Sequence, residues 1–133
     1  MPTVEIFPYD PPRHYSRAAR YGSLVFLAGL CSRDPRQDYA TVGATLEEQC
    51  HVIFGRIRDT LAEAGASLEH VVKVTIYLAD IRMHSQLASI LPKYFAMHPP
   101  PVTIVGARLV REHELIEIDV TAVIPTHDAA GAS

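Results

Sequence analysis

Cys31 directly follows Ala28, Gly29 and Leu30 at the end of an apolar run. A thiol at the edge of a pocket can serve as a nucleophile once ionised, whereas a small buried thiol packs as a hydrophobe. Cys50 falls on the apolar stripe of a helical pattern and reads as core. Glu117 and Asp119, in "IEID", alternate along a strand-like run, so they share one face. A carboxylate among apolar neighbours can position or activate water, and the competing reading is a half-buried acid with a structural partner. For Asp119 the structural reading is preferred. The seven histidines show no HxH or HExxH spacing and the two cysteines form no CxxC, so no metal site is expected. His14 and His113 read as turn or solvent-facing residues.

The elements that must position these groups belong to one domain spanning 1–133, with 1–12 and 125–133 as loose ends. At 133 residues and 48% hydrophobic composition, the chain can bury a core without staples. A net charge of -3, with Lys73 and Lys93 the only lysines and the arginines scattered, argues against a nucleic-acid surface. Two cysteines make no disulfide framework, and a reducing cytoplasm is the expected setting. The N-terminus lacks a signal-peptide pattern, and no apolar run reaches the length of a membrane span.

"SLVFLAG" reads as a buried strand, with "RHYSRAARY" as its hairpin partner across a Tyr21-Gly22 turn. Residues 31–43 read as loop. Thr45 and Glu48 form a capping box, and Leu46, Cys50, Ile53, Ile57, Leu61 and Ala64 follow at helical spacing. Gly65 fits a left-handed cap. Val71 to Ala79 is β-branched and strand-like. Asp80 can cap a second helix, from Arg82 to about Phe95, which Pro92 kinks or shortens. "VTIVGARL" and "LIEIDVTAVI" are two further strands, with "VREHE" as a hairpin connection. This order is α+β, with two helices on one face of a mixed sheet. The uncovered face, apolar in places, is expected to meet other subunits.

From about Tyr15 to Ile124, the pieces "YSRAARYGSLVFLAG", "GATLEEQCHVIFGRIRDTLAEAGASLEHVVKVTIYLADI", "YFAMHPP" and "ARLVREHELIEIDVTAV" together resemble the Rid family of reactive intermediate deaminases. The family is also called YjgF, or endoribonuclease L-PSP-like. The resemblance implies a chorismate-mutase-like fold. It has a mixed six-stranded sheet with two helices on one face, closed into a trimeric barrel with pockets between subunits. It also implies hydrolysis of imines and enamines such as 2-aminoacrylate to a keto acid and ammonia, without metal or cofactor. An arginine in a Pro-Ala-Arg-Thr/Ser motif holds the substrate carboxylate, since a guanidinium matches it bidentately.

Here that arginine is missing. Anchoring on "HPP" puts Val102 in its place, the preferred register because Thr103 then matches the family's Thr/Ser. Anchoring on "ARL" puts Pro101 there. Arg108 lies roughly 20 Å further along an extended strand. A neighbouring subunit's arginine, or Arg13, Arg17 or Arg20, is the remaining source. By resemblance Glu117 directs the attacking water, and Tyr15 and the Gly29 backbone hold the substrate. Leu30, Cys31, Val102, Thr103 and Ile104 line the pocket. Leu30 stands where the family has Gln, and Ala88 where it has a helix Asn. With apolar groups at 30, 102 and 104, an unpaired carboxylate would be expensive to bury. The expected activity is therefore a divergent Rid-type hydrolase acting on a small imine, enamine or amide-like metabolite other than 2-aminoacrylate. The alternative is a trimeric small-metabolite-binding protein without catalysis. A ribonuclease role, suggested by the older family label, is disfavoured by the charge.

Overall fold

A computed structural model of the protein describes residues 3–125. In chain order the strands are β1 (Glu5–Phe7), β2 (Ala18–Tyr21), β3 (Leu24–Leu27), β4 (Arg33–Asp34) and β5 (Ala40–Thr41). After helix α1 (Leu46–Glu63) come β6 (Val71–Leu78), α2 (Leu87–Ile90), α3 (Pro92–Phe95), β7 (Val102–Gly106) and β8 (Ile116–Val123). The main sheet has six strands in the order β1-β2-β3-β8-β6-β7. Only the β6–β7 pairing is parallel. It is the mixed sheet of an α+β fold, with the helices packed on one face.

Helix α1 starts where Thr45 Oγ1 accepts a hydrogen bond from the Glu48 amide at 3.1 Å. The Glu48 carboxylate completes only half of the expected box. It accepts from the Thr45 hydroxyl at 3.0 Å instead of reaching the Thr45 backbone. Gly65, at φ +87°, ends the helix in the left-handed region a Cβ disfavours. The predicted stripe is buried in full, joined by Phe54. Its partners are the alternate residues Val25, Leu27, Val74, Ile76, Leu78, Ile116, Ile118 and Val120 on the inner sheet face. The outer face carries Tyr77, Glu117 and Asp119 together with exposed Tyr21, Leu24, Phe26 and Val105.

Several expectations are corrected. The second helix is not continuous: residues Ile81–Gln86 form a 3-10 turn capped by Asp80, followed by two single-turn α segments meeting at Leu91. Pro92 has no amide to continue the ladder. "VREHE" is not a hairpin, because β6 lies between β7 and β8 and pairs with both. The expected loop 31–43 holds the small ribbon β4–β5, turned by a 3-10 segment whose Asp34 carboxylate accepts from the Arg36 amide at 2.9 Å. Within 1–12, residues Glu5–Phe7 are not loose: they pair with β2 and supply the sixth strand. The expected loose C-terminal end lies, from residue 126 on, outside the described residues.

Candidate functional site

Beyond β3 the backbone turns along β8. The Leu30 amide donates to the Ile118 carbonyl at 2.8 Å, and the Ile118 amide returns the bond at 2.9 Å. This bridge aligns Leu30 with buried Ile118 and packs it against the core. It also lays Gly29 against Glu117: a Cβ built on residue 29 would stand 2.7 Å from Glu117 Oε2. The glycine is needed here for its missing side chain, because a close approach leaves no room for one.

Glu117 is half-buried. Burial raises its pKa above the ordinary carboxylate value, and the nearby Glu114 and Asp119 carboxylates add to this while Arg33 opposes it. A carboxylate displaced toward neutrality is suited to taking a proton and giving it back. Asp119 accepts a hydrogen bond from the Tyr77 hydroxyl at 3.3 Å, as a structural partner would.

The Tyr15 oxygen accepts from Arg33 at 3.1 Å and from Arg13 at 3.4 Å. These cations lower its pKa, Arg13 foremost, against a smaller opposing contribution from burial. With both lone pairs engaged, its own proton remains free to donate. A cavity of about 100 Å³ adjoins these groups, lined by Tyr9, Arg13, Gly29, Leu30, Cys31 and Arg33 together with Pro35 and Arg56. The Cys31 thiol is buried, and burial pushes its pKa up, with Glu114 contributing, so it is held away from the thiolate a nucleophile requires. Cys50 is fully buried, its thiol pushed up to about 12, as core packing demands.

The structure thus brings together Tyr15, Gly29, Leu30, Cys31 and Glu117. It does not add Val102 or Ile104 to them. Both pair in register with inner-face residues, Val102 with Val74 and Ile104 with Ile76. Val102 lines a separate cavity with Leu91, Pro92 and Phe95. Thr103 lies on the outer face, where its hydroxyl contacts Lys73. The residue level with Glu117 on that face is Val105, through Tyr77.

Of the arginines weighed from sequence, Arg17 pairs with Glu63 and Arg20 donates to the Ala64 carbonyl at 2.8 Å, whereas Arg13 reaches the cavity. Arg33 and Arg56 were not anticipated, nor were the rings of Tyr9 and Tyr39 around them. The available signal was proximity: Arg33 is two residues beyond Cys31, on the same stretch that Gly29 begins. Among the described residues, no three His, Cys, Asp or Glu side chains are grouped to hold a metal ion, and no helix is long and apolar enough to cross a membrane.

The architecture is that of YjgF-like proteins. A YjgF family member from Neisseria meningitidis superposes with a TM-score of 0.80 at 29% identity, covering 93% of this chain and 97% of that one. Residues 8–124 match the family described as endoribonuclease L-PSP, and the chain belongs to this Rid/YjgF family. A RutC family protein of Pyrococcus abyssi is 33% identical over 108 residues, covering 81% of this chain and 84% of the relative. Protein MMF1, mitochondrial, of Saccharomyces cerevisiae is 29% identical over 109 residues, covering 82% of this chain and 74% of its own length.

Proposed function

We propose that this chain is a divergent Rid-type hydrolase that converts a small imine or enamine into a carbonyl compound and ammonia. Its pockets would be completed between the subunits of a homotrimer. The observation that carries the reading is the half-buried Glu117 carboxylate, held against Gly29 with a raised proton affinity. An enamine enters as its imine tautomer, protonated at carbon from solvent with loss of a nitrogen proton. Ionised Glu117 removes a proton from water as the oxygen attacks the imine carbon. As the oxygen bonds to carbon, the C=N π pair moves to nitrogen, which takes a proton from solvent. In the second half Glu117 returns its proton to nitrogen, the hydroxyl proton of the intermediate passes to solvent as its electron pair forms the carbonyl, and the C–N pair leaves with ammonia. The free Tyr15 proton orients the nitrogen or the water. Family membership supports the fold and general class; substrate and reaction are inferred from the site. The trimer is supported by the outer sheet face, where Tyr21, Leu24, Phe26 and Val105 are exposed beside Glu117.

The test is ammonia release from freshly generated imines and enamines of varied size and charge, by the native protein and by Glu117→Gln. Turnover lost in the variant, with the fold intact, supports the reading. No release from any compound sinks it. The second reading, a trimeric binding protein without catalysis, draws on β7. That strand carries Val102 turned toward the helices, with no arginine at 101 or 102.

A further inference from the structure

Cys31 and Glu114 form a buried pair that the hydrolytic mechanism leaves unused. Gly29 and Cys31 flank Leu30, and both line the cavity of about 100 Å³. Cys31 is only 5% exposed, so its thiol meets the cavity and is shielded from bulk water. Beside it stands Glu114, 1% exposed. Glu114 Oε2 accepts from the Arg111 amide at 3.3 Å, while Oε1 has no hydrogen-bond partner among the described residues. The carboxyl borders the Cys31 thiol, which is a weak donor. A buried carboxyl oxygen left in this state costs stability, and such groups call for a reason to be kept. The other groups facing the sulfur are Arg33, Arg56 and Tyr9; Arg56 also donates to the Cys31 carbonyl at 2.6 Å.

We propose that Cys31 is a second catalytic residue, whose S–H protonates the terminal carbon of an enamine substrate in place of solvent, with Glu114 as the positioning residue beside it. The proposal rests on the hydrolytic reading above and adds the step that precedes hydration. Glu117 is unsuited to that step, because it must start ionised to take the proton of water. Burial, opposed by the Arg33 backbone and joined by Glu114, keeps the thiol protonated. That disfavours a nucleophile and favours a proton donor. The S–H proton passes to the terminal carbon as the C=C pair forms the new C–H bond. The nitrogen lone pair closes the C=N bond. The resulting iminium loses a nitrogen proton to solvent, and the thiolate regains one from it. Arg33 and Arg56 are near enough to steady the transient thiolate by charge. Glu114 also acts on the charge of Glu117, so one buried acid influences both reacting groups on either side of Leu30.

The experiment follows the loss of freshly generated 2-aminocrotonate, and of its uncharged amide, in heavy water. The keto product is reduced as it forms, and the configuration of deuterium on the carbon next to the carbonyl is determined. Ammonia release is followed in parallel. Native protein should deliver deuterium to one face of that carbon. Cys31→Ala should slow enamine loss roughly 100-fold, toward the solvent rate, and give racemic label. Cys31→Ser should do the same, and it keeps the test valid should the Ala variant fold poorly. Tyr9→Phe, which removes the other hydroxyl lining the cavity, should match native protein. Glu117→Gln should still consume the enamine while enzymatic ammonia release falls. Thiol alkylation read against pH tests Glu114: Glu114→Gln should shift modification of Cys31 to lower pH, and an unshifted profile overturns the part given to Glu114. Enamine loss that depends on Cys31, without ammonia release in any protein, upholds the thiol and refutes the hydrolytic reading. Racemic label, or equal enamine loss in native protein and Cys31→Ala, overturns the proposal, and ammonia release that persists then leaves the hydrolytic reading standing.

Discussion

Glu117 Oε2 lies so close to Gly29 that a Cβ on residue 29 would be 2.7 Å away. The clash would be with the far end of a flexible side chain, and the glycine backbone is not in the left-handed region. Gly29→Ala should therefore fold normally and displace the carboxylate. We expect ammonia release to fall roughly 100-fold, as for a reacting group moved by about 1 Å, with Tm nearly unchanged. A large drop in Tm, or native activity, would contradict this account of the glycine.

The raised pKa of Glu117 predicts the acidic limb of the rate profile. Activity needs the carboxylate ionised at the outset, so kcat/KM should fall as pH decreases through a value above the ordinary glutamate range. Burial is the main cause, followed by Glu114, and Arg33 works in the opposite direction. Arg33→Met should move the limb to higher pH. A limb that stays in place would show that Arg33 does not act on Glu117.

Stability should carry the same signature with a definite sign. The folded-state pKa of Glu117 exceeds its unfolded value, so the folded state is penalised wherever both states are ionised. The penalty disappears as pH falls through the folded pKa toward the unfolded one. At neutral pH, Glu117→Gln should raise Tm by a few degrees, and the advantage should shrink on acidification. Thermal melts of both proteins across this range provide the check.

Gln49 ties α1 to the entrance of β8. Its amide nitrogen donates to the Gly43 carbonyl at 3.1 Å and the His113 carbonyl at 3.0 Å, and its oxygen accepts from the Leu115 amide at 2.9 Å. The side chain is almost wholly buried, 1% exposed. Gln49→Ala would strand these backbone groups, and denaturant unfolding should show a loss of about 3 kcal/mol.

Phe26, 46% exposed, stands on the outer sheet face in register with Thr121 of β8. Placing a charge there should oppose any apolar subunit contact. If the proposed trimer forms through this face, sedimentation should show trimers for the native chain and monomers for Phe26→Glu, with ammonia release reduced in the variant. A variant that still trimerises would place the interface elsewhere.

The bounds of α1 and the strand alternation were legible because each rests on local spacing, whereas Glu117, Tyr15 and Gly29 stand out through the family resemblance and their roles belong to the proposed function. The Thr45 cap, the Gly65 stop and the stripe from Leu46 to Ala64 are read within single turns of chain. What escaped was set by pairing across the sheet. Glu5–Phe7 reads from sequence as part of a loose end because a three-residue edge strand has too few positions to display a period. The placement of β6 between β7 and β8 turned the expected hairpin into a crossover. The same register put Val102 and Ile104 on the inner face, which spacing along β7 alone does not determine. Arg33 was overlooked because a two-strand ribbon folds it back on Tyr15, eighteen positions earlier.

The bridge between Leu30 and Ile118 joins the first quarter of the chain to its last strand. During synthesis from the N-terminus, Gly29, Arg33 and Tyr15 emerge long before Glu117 exists to meet them. The amide protons of Leu30 and Ile118 are locked only once β8 has been inserted between β3 and β6. Solvent exchange at these two amides should therefore report completed assembly, whereas exchange within α1 reports only local helix formation.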